Sequence, residues 1–516
     1  MRASNLAAFC ILSGVAISSI ACGGSQPPPA LPHADIPVGV TTPPPKPATT
    51  REAAPASLAS KDSPFPAVAH AKLANGLDLA TVTSHALPII QIRLVIHAGS
   101  GYVPALPGVP DLTAQMLKDG GTRTMTSADL LNRVESLGAD LDIGTDTDAT
   151  TISLGITKDK LPEALGLLAE VAGAPRFDES EFKKLKKRSI DEADDRARSS
   201  GGWAAAHATM RELFAPTSPY ASYGATPAEL TKVTMASLRD FYKKFFVPKN
   251  ATLILAGDLD DGAQKLVESK FASWTGGEAP KVDFPAAIPP KGTRVLLVNR
   301  PKSAQSDISV SSLAPERTNA AWPQIRVANQ VLGGGVAGRL FLDVREQRSL
   351  AYSTGSRIME VAHGQQPFSA YAGTQTAKTG LAVQGLVDNL EKIKSGVTDS
   401  EIASAERYLS DIFAVRMETI GAIASMVATQ VELGLPDGYW DQYRSAVKQV
   451  TTAQASDWAN KLASSPGWLI VVSGDVDVIG TPLSHFGDVT VLDPEHEFKT
   501  VKTIPANPQA SLEIAK

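Results

Sequence analysis

Hydrophobic and polar residues begin to alternate near residue 67, where a globular pattern starts. Every second residue from Ile90 to Ile96 is apolar, which predicts a strand with one buried face. A second β pattern covers residues 150–156, and Thr126 with Asp129 predicts a capped helix start. Further helices are predicted near residues 158–172, 178–198, 202–214 and 234–246. Strands that are grouped apart from runs of helix predict an α+β fold and disfavour a doubly wound parallel sheet.

One strand ending occurs twice along the chain. An apolar strand pattern runs into Gly257-Asp258, and the same pattern runs into Gly474-Asp475, 217 residues later. The helix start at Glu179 recurs at Asp399, displaced by 220 residues. Two landmarks with nearly one offset predict a duplicated unit of about 220 residues. The predicted segments of the body are an N-terminal half at 67–275, a linker at 276–291, a C-terminal half at 292–490 and an extended tail at 491–516.

The first 22 residues have the pattern of a targeting signal. Arg2 precedes an apolar stretch that ends just before Cys22, as in a bacterial lipoprotein signal whose cysteine becomes the acylated first residue. Ser19 stands where such signals usually carry leucine, so plain secretion with an incidental cysteine is the alternative. Residues 23–66 are rich in proline, which favours an extended spacer. We therefore expect a lipid anchor in the bacterial cell envelope, in the outer membrane and facing the periplasm, with which Gly23 is compatible.

Composition excludes several other classes of protein. The chain has 49 Lys+Arg against 54 Asp+Glu, and this balance gives no reason to expect nucleic-acid binding. Its two cysteines, Cys10 and Cys22, both precede the predicted body. The body therefore has no internal disulfide, no cysteine-based zinc site and no cysteine nucleophile.

The C-terminal half carries a long and specific motif. Gly333-Gly334-Gly335, then Gly338-Arg339-Leu340-Phe341 and the run 344–353, are similar to the C-terminal signature of the insulinase/pitrilysin family of zinc peptidases. In the first half, Pro219-Tyr220 ahead of the run 238–242 also resembles this family. The resemblance covers residues 70–480. It implies two halves, each with an antiparallel-rich sheet covered by helices, which form a clamshell around a peptide substrate.

The family's zinc motif is degenerate in this chain. Active members carry H-x-x-E-H on a helix, where two imidazoles one turn apart bind zinc and the glutamate accepts a proton from water. The corresponding positions are Asp111, Ala114 and Gln115, and Glu192 matches the third ligand. Asp111, Gln115 and Glu192 could form a weak oxygen site for calcium or magnesium. The alternative is that Glu192 is an ordinary acid on a charged, solvated helix. We expect no metal and no cofactor on this chain.

The resemblance also implies a retained functional pair in the second half. Arg345 and Tyr352 have the spacing of the family's arginine and tyrosine, which reach across to the zinc site of a facing domain. The arginine is expected to bind a substrate carbonyl or carboxylate, and the tyrosine to steady the developing oxyanion. Alternatively, Arg345 is one of several exposed arginines and Tyr352 a half-buried strand residue. Gly333, Gly334 and Gly335 are expected to form a flexible loop beside the substrate.

Two functions of different classes follow from this combination. In the first, the chain is the zinc-less subunit of a heteromeric zinc endopeptidase, and zinc is bound by a partner of the same family with an intact H-x-x-E-H. Unfolded peptides would then be the substrates of the pair. In the second, the chain is a non-catalytic periplasmic lipoprotein that binds peptides or acts as a scaffold, and Arg345 and Tyr352 have no chemical role.

Overall fold

Six strands of the N-terminal half form one mixed sheet in this computed structural model, which describes residues 63–514. The strands are β1 (Ala69–Lys72), β2 (Asp78–Thr83), β3 (Ile89–Ile96), β4 (Leu141–Thr145), β5 (Thr150–Thr157) and β6 (Ala251–Gly257). Their order is β1-β2-β6-β3-β5-β4. All of β6 is buried, between a parallel β2 and an antiparallel β3. A strand enclosed on both faces needs apolar side chains at nearly every position, as this one has.

The N-terminal half contains eight α-helices within the described residues. They are α1 (Val109–Asp119), α2 (Ser127–Ser136), α3 (Leu161–Gly173), α4 (Glu179–Ser199), α5 (Gly201–Leu213), α6 (Pro227–Lys232), α7 (Met235–Phe245) and α8 (Ala263–Phe271). The predicted helices near 158, 178, 202 and 234 are confirmed as α3, α4, α5 and α7. The capping box is confirmed too, because Thr126 Oγ1 accepts from the Asp129 amide at 3.2 Å and the Asp129 carboxylate accepts from the Thr126 amide at 3.1 Å.

The C-terminal half repeats this arrangement. Its strands are β7 (Arg294–Asn299), β8 (Gln305–Glu316), β9 (Ala351–Ile358), β10 (Gln365–Gln375), β11 (Leu469–Gly474), β12 (Val489–Asp493) and β13 (Lys499–Ile504). Its helices are α9 (Trp322–Gly333), α10 (Thr379–Ile393), α11 (Asp399–Arg416), α12 (Ile420–Glu432), α13 (Tyr439–Val447), α14 (Thr452–Ala463) and α15 (Val476–Leu483). The run β7-β11-β8-β10-β9 repeats β2-β6-β3-β5-β4 in order and in strand direction. The predicted α+β fold with two repeated halves is therefore confirmed.

The end of the chain extends the second sheet. β12 pairs in parallel with β7, and β13 pairs with β12, so the sheet order is β13-β12-β7-β11-β8-β10-β9. The predicted boundary at residue 490 is wrong, since it falls inside β12. Val489 and Val491 are buried against the second core, and two alternating apolar residues are too short a pattern to show this in the sequence.

Two helices are exchanged between the halves. α5 of the N-terminal half packs on β8 and β11 of the second sheet, and α12 of the C-terminal half packs on β3 and β6 of the first. Small residues make both contacts close: Ala204, Ala205 and Ala208 on α5, and Ala424 on α12, are buried. We call α5 and α12 the exchanged helices. Each half thus contributes to the other's core.

A buried polar network also joins the halves. The Tyr220 hydroxyl donates to Asp148 Oδ1 at 2.7 Å and accepts from the His363 amide at 3.0 Å. Asp148 Oδ2 accepts from the Ala362 amide at 2.9 Å. Burial raises the pKa of the Asp148 carboxyl, while the hydrogen bond from Tyr220 opposes that rise. Because its groups are satisfied across the junction, the network fixes how the halves meet.

The predicted linker and spacer have specific contacts where the structure describes them. Residues 276–291 contain no helix or strand, yet Phe284 packs against Tyr220 and His363, with ring centroids 5.3 and 4.0 Å apart. The spacer's last residues lie on α13, where the Phe65 amide donates to Asp441 at 3.0 Å. The predicted signal, Cys22 and the rest of the spacer lie outside the described residues.

No single helix within residues 63–514 is long and apolar enough to cross a bilayer. α11 and α12 reach that length only together, and they are bent by 119°.

Candidate functional site

α1 carries the degenerate zinc motif on its first two turns. Gly108 precedes it in the left-handed conformation, and a Cβ there would lie 2.6 Å from a Leu230 methyl group. Asp111 and Gln115 lie one turn apart and are half-buried, whereas Ala114 is fully buried. The helix that the family would use is therefore present, but its Ala114 methyl group offers no base and no ligand.

Two arginines, Arg188 and Arg196, lie near the acids of this region. Glu192 lies on α4, which packs on α1, and its exposed carboxylate is 3.7 Å from Arg188. Burial raises the pKa of Asp111 to about 6, while the positive charge of Arg196 opposes that rise. Glu192 and Asp111 in turn both act on the pKa of Arg196, which burial lowers. Both acids thus interact electrostatically with the Arg196 guanidinium.

Arg196 is held in place by neighbours that the sequence did not single out. Its guanidinium carbon lies 4.7 Å from the centre of the Trp203 ring, and Nη2 donates to the Ala225 carbonyl at 3.1 Å. Among residues 63–514, no group of three or more His, Cys, Asp or Glu side chains is placed to hold a metal ion. The residues at the motif positions do not fit catalytic zinc, because they include no imidazole and because Ala114 stands in place of the glutamate base.

Arg345 and Tyr352 come together on the second half. Arg345 lies in a short π-helical segment, Phe341–Gln347, and its guanidinium carbon is 4.6 Å from the Phe341 ring centre and 5.1 Å from that of Tyr352. Its side chain is 37% exposed, and its ionic neighbour is Glu346 at 3.4 Å. The structure therefore pairs these two residues at the surface, one stacked on the other.

Tyr352 owes its position to an irregularity in β9, the edge strand of the second sheet. Ser353 pairs with Gly373 and Ala351 with Thr374, so Tyr352 is the extra residue of a β-bulge. Tyr352 is 82% exposed, and Ser353 beside it is exposed too. The alternative of a half-buried strand tyrosine is wrong, because Tyr352 is the extra residue of the bulge and is exposed.

The other arginines of the signature have different surroundings. Arg339 binds Glu401 through two nitrogens, at 2.7 and 2.8 Å, and Arg348 bridges Asp343 at 2.9 Å and Asp388 at 3.0 Å. These contacts tie the signature segment to α10 and α11. Arg345 makes no bidentate or bridging contact of this kind. Its guanidinium nitrogens are therefore available to a ligand, whereas those of Arg339 and Arg348 are bound to carboxylates.

The triglycine segment begins inside a helix and continues into a loop. Gly333 is the last residue of α9, and a Cβ there would lie 2.5 Å from the Ser356 amide nitrogen on β9. A side chain at Gly334 would collide with Gln330, but at Gly335 the nearest atom is 3.2 Å away. Gly333 is therefore a close-packing residue between α9 and β9, and the expected flexible loop is wrong at this position.

One cavity lies between the halves. It has a volume of about 520 Å³ and is enclosed by α5 on one side and by β8, β9 and β10 on the other. Its walls combine apolar residues such as Trp203 and Met210 with Arg357 and Asp307. Ser353, next to Tyr352, also lines it. A cavity of this size and mixed character can hold part of a peptide.

Comparison with known proteins agrees with this geometry. A family model described as insulinase (peptidase family M16) matches residues 79–212, and one described as peptidase M16 inactive domain matches residues 232–409, together more than half of the chain. The "non-peptidase homolog YmxG" of Helicobacter pylori is 24% identical over 383 residues, which are 73% of this chain and 86% of that protein. The "uncharacterized zinc protease YmxG" of Bacillus subtilis is 23% identical over 364 residues, which are 67% of this chain and 83% of that protein.

Solved structures show the same fold. A peptidase M16 inactive domain from Pseudomonas fluorescens superposes with a TM-score of 0.73 at 26% identity, covering 79% of this chain and 98% of that one. A protease from Helicobacter pylori superposes with a TM-score of 0.72 at 18% identity, covering 80% of this chain and all of that one. The chain belongs to the insulinase family, as a peptidase homologue whose zinc-motif positions no longer carry the family's metal ligands.

Proposed function

We propose that this chain is the zinc-less, Arg/Tyr-bearing subunit of a heteromeric zinc endopeptidase that processes or degrades peptides. The observation that carries the proposal is the asymmetry between the two halves. The N-terminal half has Asp111, Ala114 and Gln115 where ligands and base would stand, whereas the C-terminal half presents Arg345 and Tyr352 together at its surface. A partner chain with an intact H-x-x-E-H would bind the zinc.

The described contacts suit the roles that we assign to the pair. Stacking on Phe341 and Tyr352 orients the Arg345 guanidinium and leaves its nitrogens available to a peptide carbonyl or carboxylate. The Tyr352 hydroxyl, on a residue that is 82% exposed, can donate to the oxygen that becomes negative during attack on the peptide bond. A zinc ion held by the partner's H-x-x-E-H would supply the activation of the attacking water.

Reconstitution of the pair tests this proposal. Removing one donor to a developing oxyanion typically lowers kcat by about 100-fold or more. We expect Arg345→Ala and Tyr352→Phe to lower the peptidase activity of the complex to that extent, with assembly unchanged in size-exclusion chromatography. Tyr408→Phe and Arg133→Ala, which change exposed residues on α11 and α2, are the matched controls and should keep full activity. Unchanged activity in both site variants would refute the proposal.

A second candidate function is supported by the cavity between α5 and the second sheet. In this alternative the chain is a periplasmic peptide-binding or scaffolding protein without catalysis, which the 520 Å³ volume and mixed lining permit. Peptide affinity would then fall in Trp203→Ala, which removes a cavity wall, and would be the same in Arg345→Ala as in the natural protein. The first function therefore predicts a loss of peptidase activity in Arg345→Ala. The second predicts a loss of peptide affinity in Trp203→Ala and none in Arg345→Ala.

We also propose that the protein is anchored in the cell envelope through lipid on Cys22, in the outer membrane and facing the periplasm. The supporting observation is the sequence pattern of residues 1–22. Metabolic labelling with an alkynyl fatty acid should mark the natural chain but not Cys22→Ala, and the labelled protein should fractionate with outer membranes. An unlabelled, freely soluble natural chain would contradict the proposal.

A further inference from the structure

A second, separate cavity lies inside the C-terminal half. It has a volume of about 360 Å³ and is bounded by α9, α11, α12, α13 and the segments that follow β8 and β9. Part of its wall is apolar, from Trp322, Phe413, Met426 and Leu433. The rest is charged or donates hydrogen bonds, which is unusual for an interior site and calls for a partner.

Arg317 is the central charged residue of this cavity. Its side chain is only 3% exposed, and its guanidinium carbon lies 4.7 Å from the Trp322 ring centre and 4.9 Å from that of Tyr439. Nε donates to Glu360 Oε2 at 2.5 Å. Nη1, however, is buried and has no hydrogen-bond partner among the described residues. A guanidinium fixed between two rings, with one N–H group unpartnered, is arranged to donate a hydrogen bond to a ligand oxygen.

A second donor belongs to Trp440. Its indole Nε1 is likewise buried without a hydrogen-bond partner among residues 63–514, and its ring lines the same cavity. Indole can only donate a hydrogen bond, so an acceptor has to come from a ligand or from water. Two residues with unpartnered donors of different kinds therefore contribute to the wall of one cavity.

The charges around the cavity are unbalanced. Arg317, Arg326 and Arg416 all line it, whereas Glu360 is the carboxylate that both Arg317 and Arg326 share, the latter at 3.3 Å. Glu432 also lines it, and burial together with its contact with Asp146 raises the pKa of its carboxyl. Three arginines share this lining with two acids, and the excess of cations favours an anionic occupant.

We propose that this cavity binds an organic oxyanion, meaning a carboxylate or a phosphate that is carried on an apolar group. The guanidinium and indole N–H groups fit the oxygen atoms, and the apolar wall fits the remainder of the ligand. The volume lies at the lower end of the range of small-molecule sites. The site lies apart from Arg345 and Tyr352 in the chain, and its existence does not depend on a partner subunit.

Calorimetry on the full-length, detergent-solubilised chain tests the proposal. The probes are benzoate and phenyl phosphate, with benzamide as the neutral analogue of benzoate and inorganic phosphate as the anion without a ring. We expect at least one of the two aromatic anions to bind more than tenfold tighter than both benzamide and inorganic phosphate. Whichever of the two binds more tightly shows whether the preferred acidic group is a carboxylate or a phosphate. Equal binding of benzamide, or no binding by either aromatic anion, would overturn the proposal and leave a water-filled cavity.

Substitutions of lining residues test whether the anion binds in this cavity. Trp440→Phe keeps an aromatic ring but removes the Nε1 donor, and Arg416→Gln removes an exposed cation at the rim. Each should weaken binding of the preferred anion by about tenfold, since a hydrogen bond or charge to the ligand is lost. Trp458→Phe on α14 and Arg407→Gln on α11, whose side chains do not line the cavity, are the matched controls. Unchanged affinity in both Trp440→Phe and Arg416→Gln would overturn the assignment, even if the anion bound elsewhere.

Discussion

Asp111 stands where the family's zinc motif begins. The substitution Asp111→Asn measures how much the ionised carboxylate lowers the free energy of unfolding. Burial on α1 raises its pKa from 3.8 to about 6, against the opposing charge of Arg196. A rise of that size corresponds to about 3 kcal/mol. Because the side chain is only half-buried, we expect the measured cost to be about 1 to 3 kcal/mol.

The raised pKa fixes the direction of the pH dependence. The folded state binds this proton more tightly than the unfolded chain, so the stabilisation by the protonated group is complete below about pH 4. It is lost as the pH rises through about 6. Asparagine carries no such charge. Asp111→Asn should therefore raise the free energy of unfolding by about 1 to 3 kcal/mol at pH 7.5, and by about half as much at pH 5.

Urea unfolding, followed by tryptophan fluorescence at pH 5 and pH 7.5, provides the measurement. Asp240→Asn is the control, since Asp240 is 62% exposed and pairs with Lys244 on the same helix, and it should change stability by less than about 1 kcal/mol. A loss of stability in Asp111→Asn at pH 7.5 would refute the reasoning. It would mean that a cation, either Arg196 or a bound metal ion, stabilises the Asp111 carboxylate more than burial penalises it.

Two further substitutions test how the fold is held together. Tyr220→Phe removes one donor from the buried Asp148 and one acceptor from the His363 amide, and should cost about 2 to 4 kcal/mol in urea unfolding. A cost below about 0.5 kcal/mol, on the order of a surface change, would contradict the network. Gly333→Ala should cost about 1 to 3 kcal/mol in the same assay, because its Cβ meets backbone atoms of β9. Gly335→Ala is the control and should be nearly neutral. Equal effects would show that Gly333 is not a packing residue.

Local patterns in the sequence predicted much of the fold. Helices α3, α4, α5 and α7 repeat their apolar residues over three turns or more, so their periodicity is clear. The duplication was visible because the strand endings at Gly257 and Gly474 kept the same residues. Both features depend on neighbours in sequence, and sequence shows those directly.

Contacts between distant residues were not predictable in the same way. The exchange of α5 and α12 depends on which sheet each helix reaches, and an alanine-rich apolar face does not specify that. β12 and β13 are short, and their pairing with β7 is settled by the second core. Asp148 and Tyr220, 72 residues apart, meet only after folding.

The candidate site shows the same division. The loss of two ligands, at Asp111 and Gln115, and of the base, at Ala114, could be predicted, because it is a matter of residue type at fixed spacing. The position of Arg196 beside Asp111 could not, since it follows from how α4 packs on α1. The exposure of Tyr352 depends on a bulge whose extra residue is defined only by the register with β10.

Isolation of the tagged chain from its native membranes tests the proposed role most directly. Solubilisation in mild detergent would be followed by mass spectrometry and by a zinc and peptidase assay of the purified material. We predict a stoichiometric companion of the same family with an intact H-x-x-E-H, together with bound zinc and activity that falls when Arg345→Ala replaces the natural chain. Recovery of the chain alone or as a self-dimer, without zinc and without peptidase activity, would contradict a catalytic role in a heteromeric enzyme.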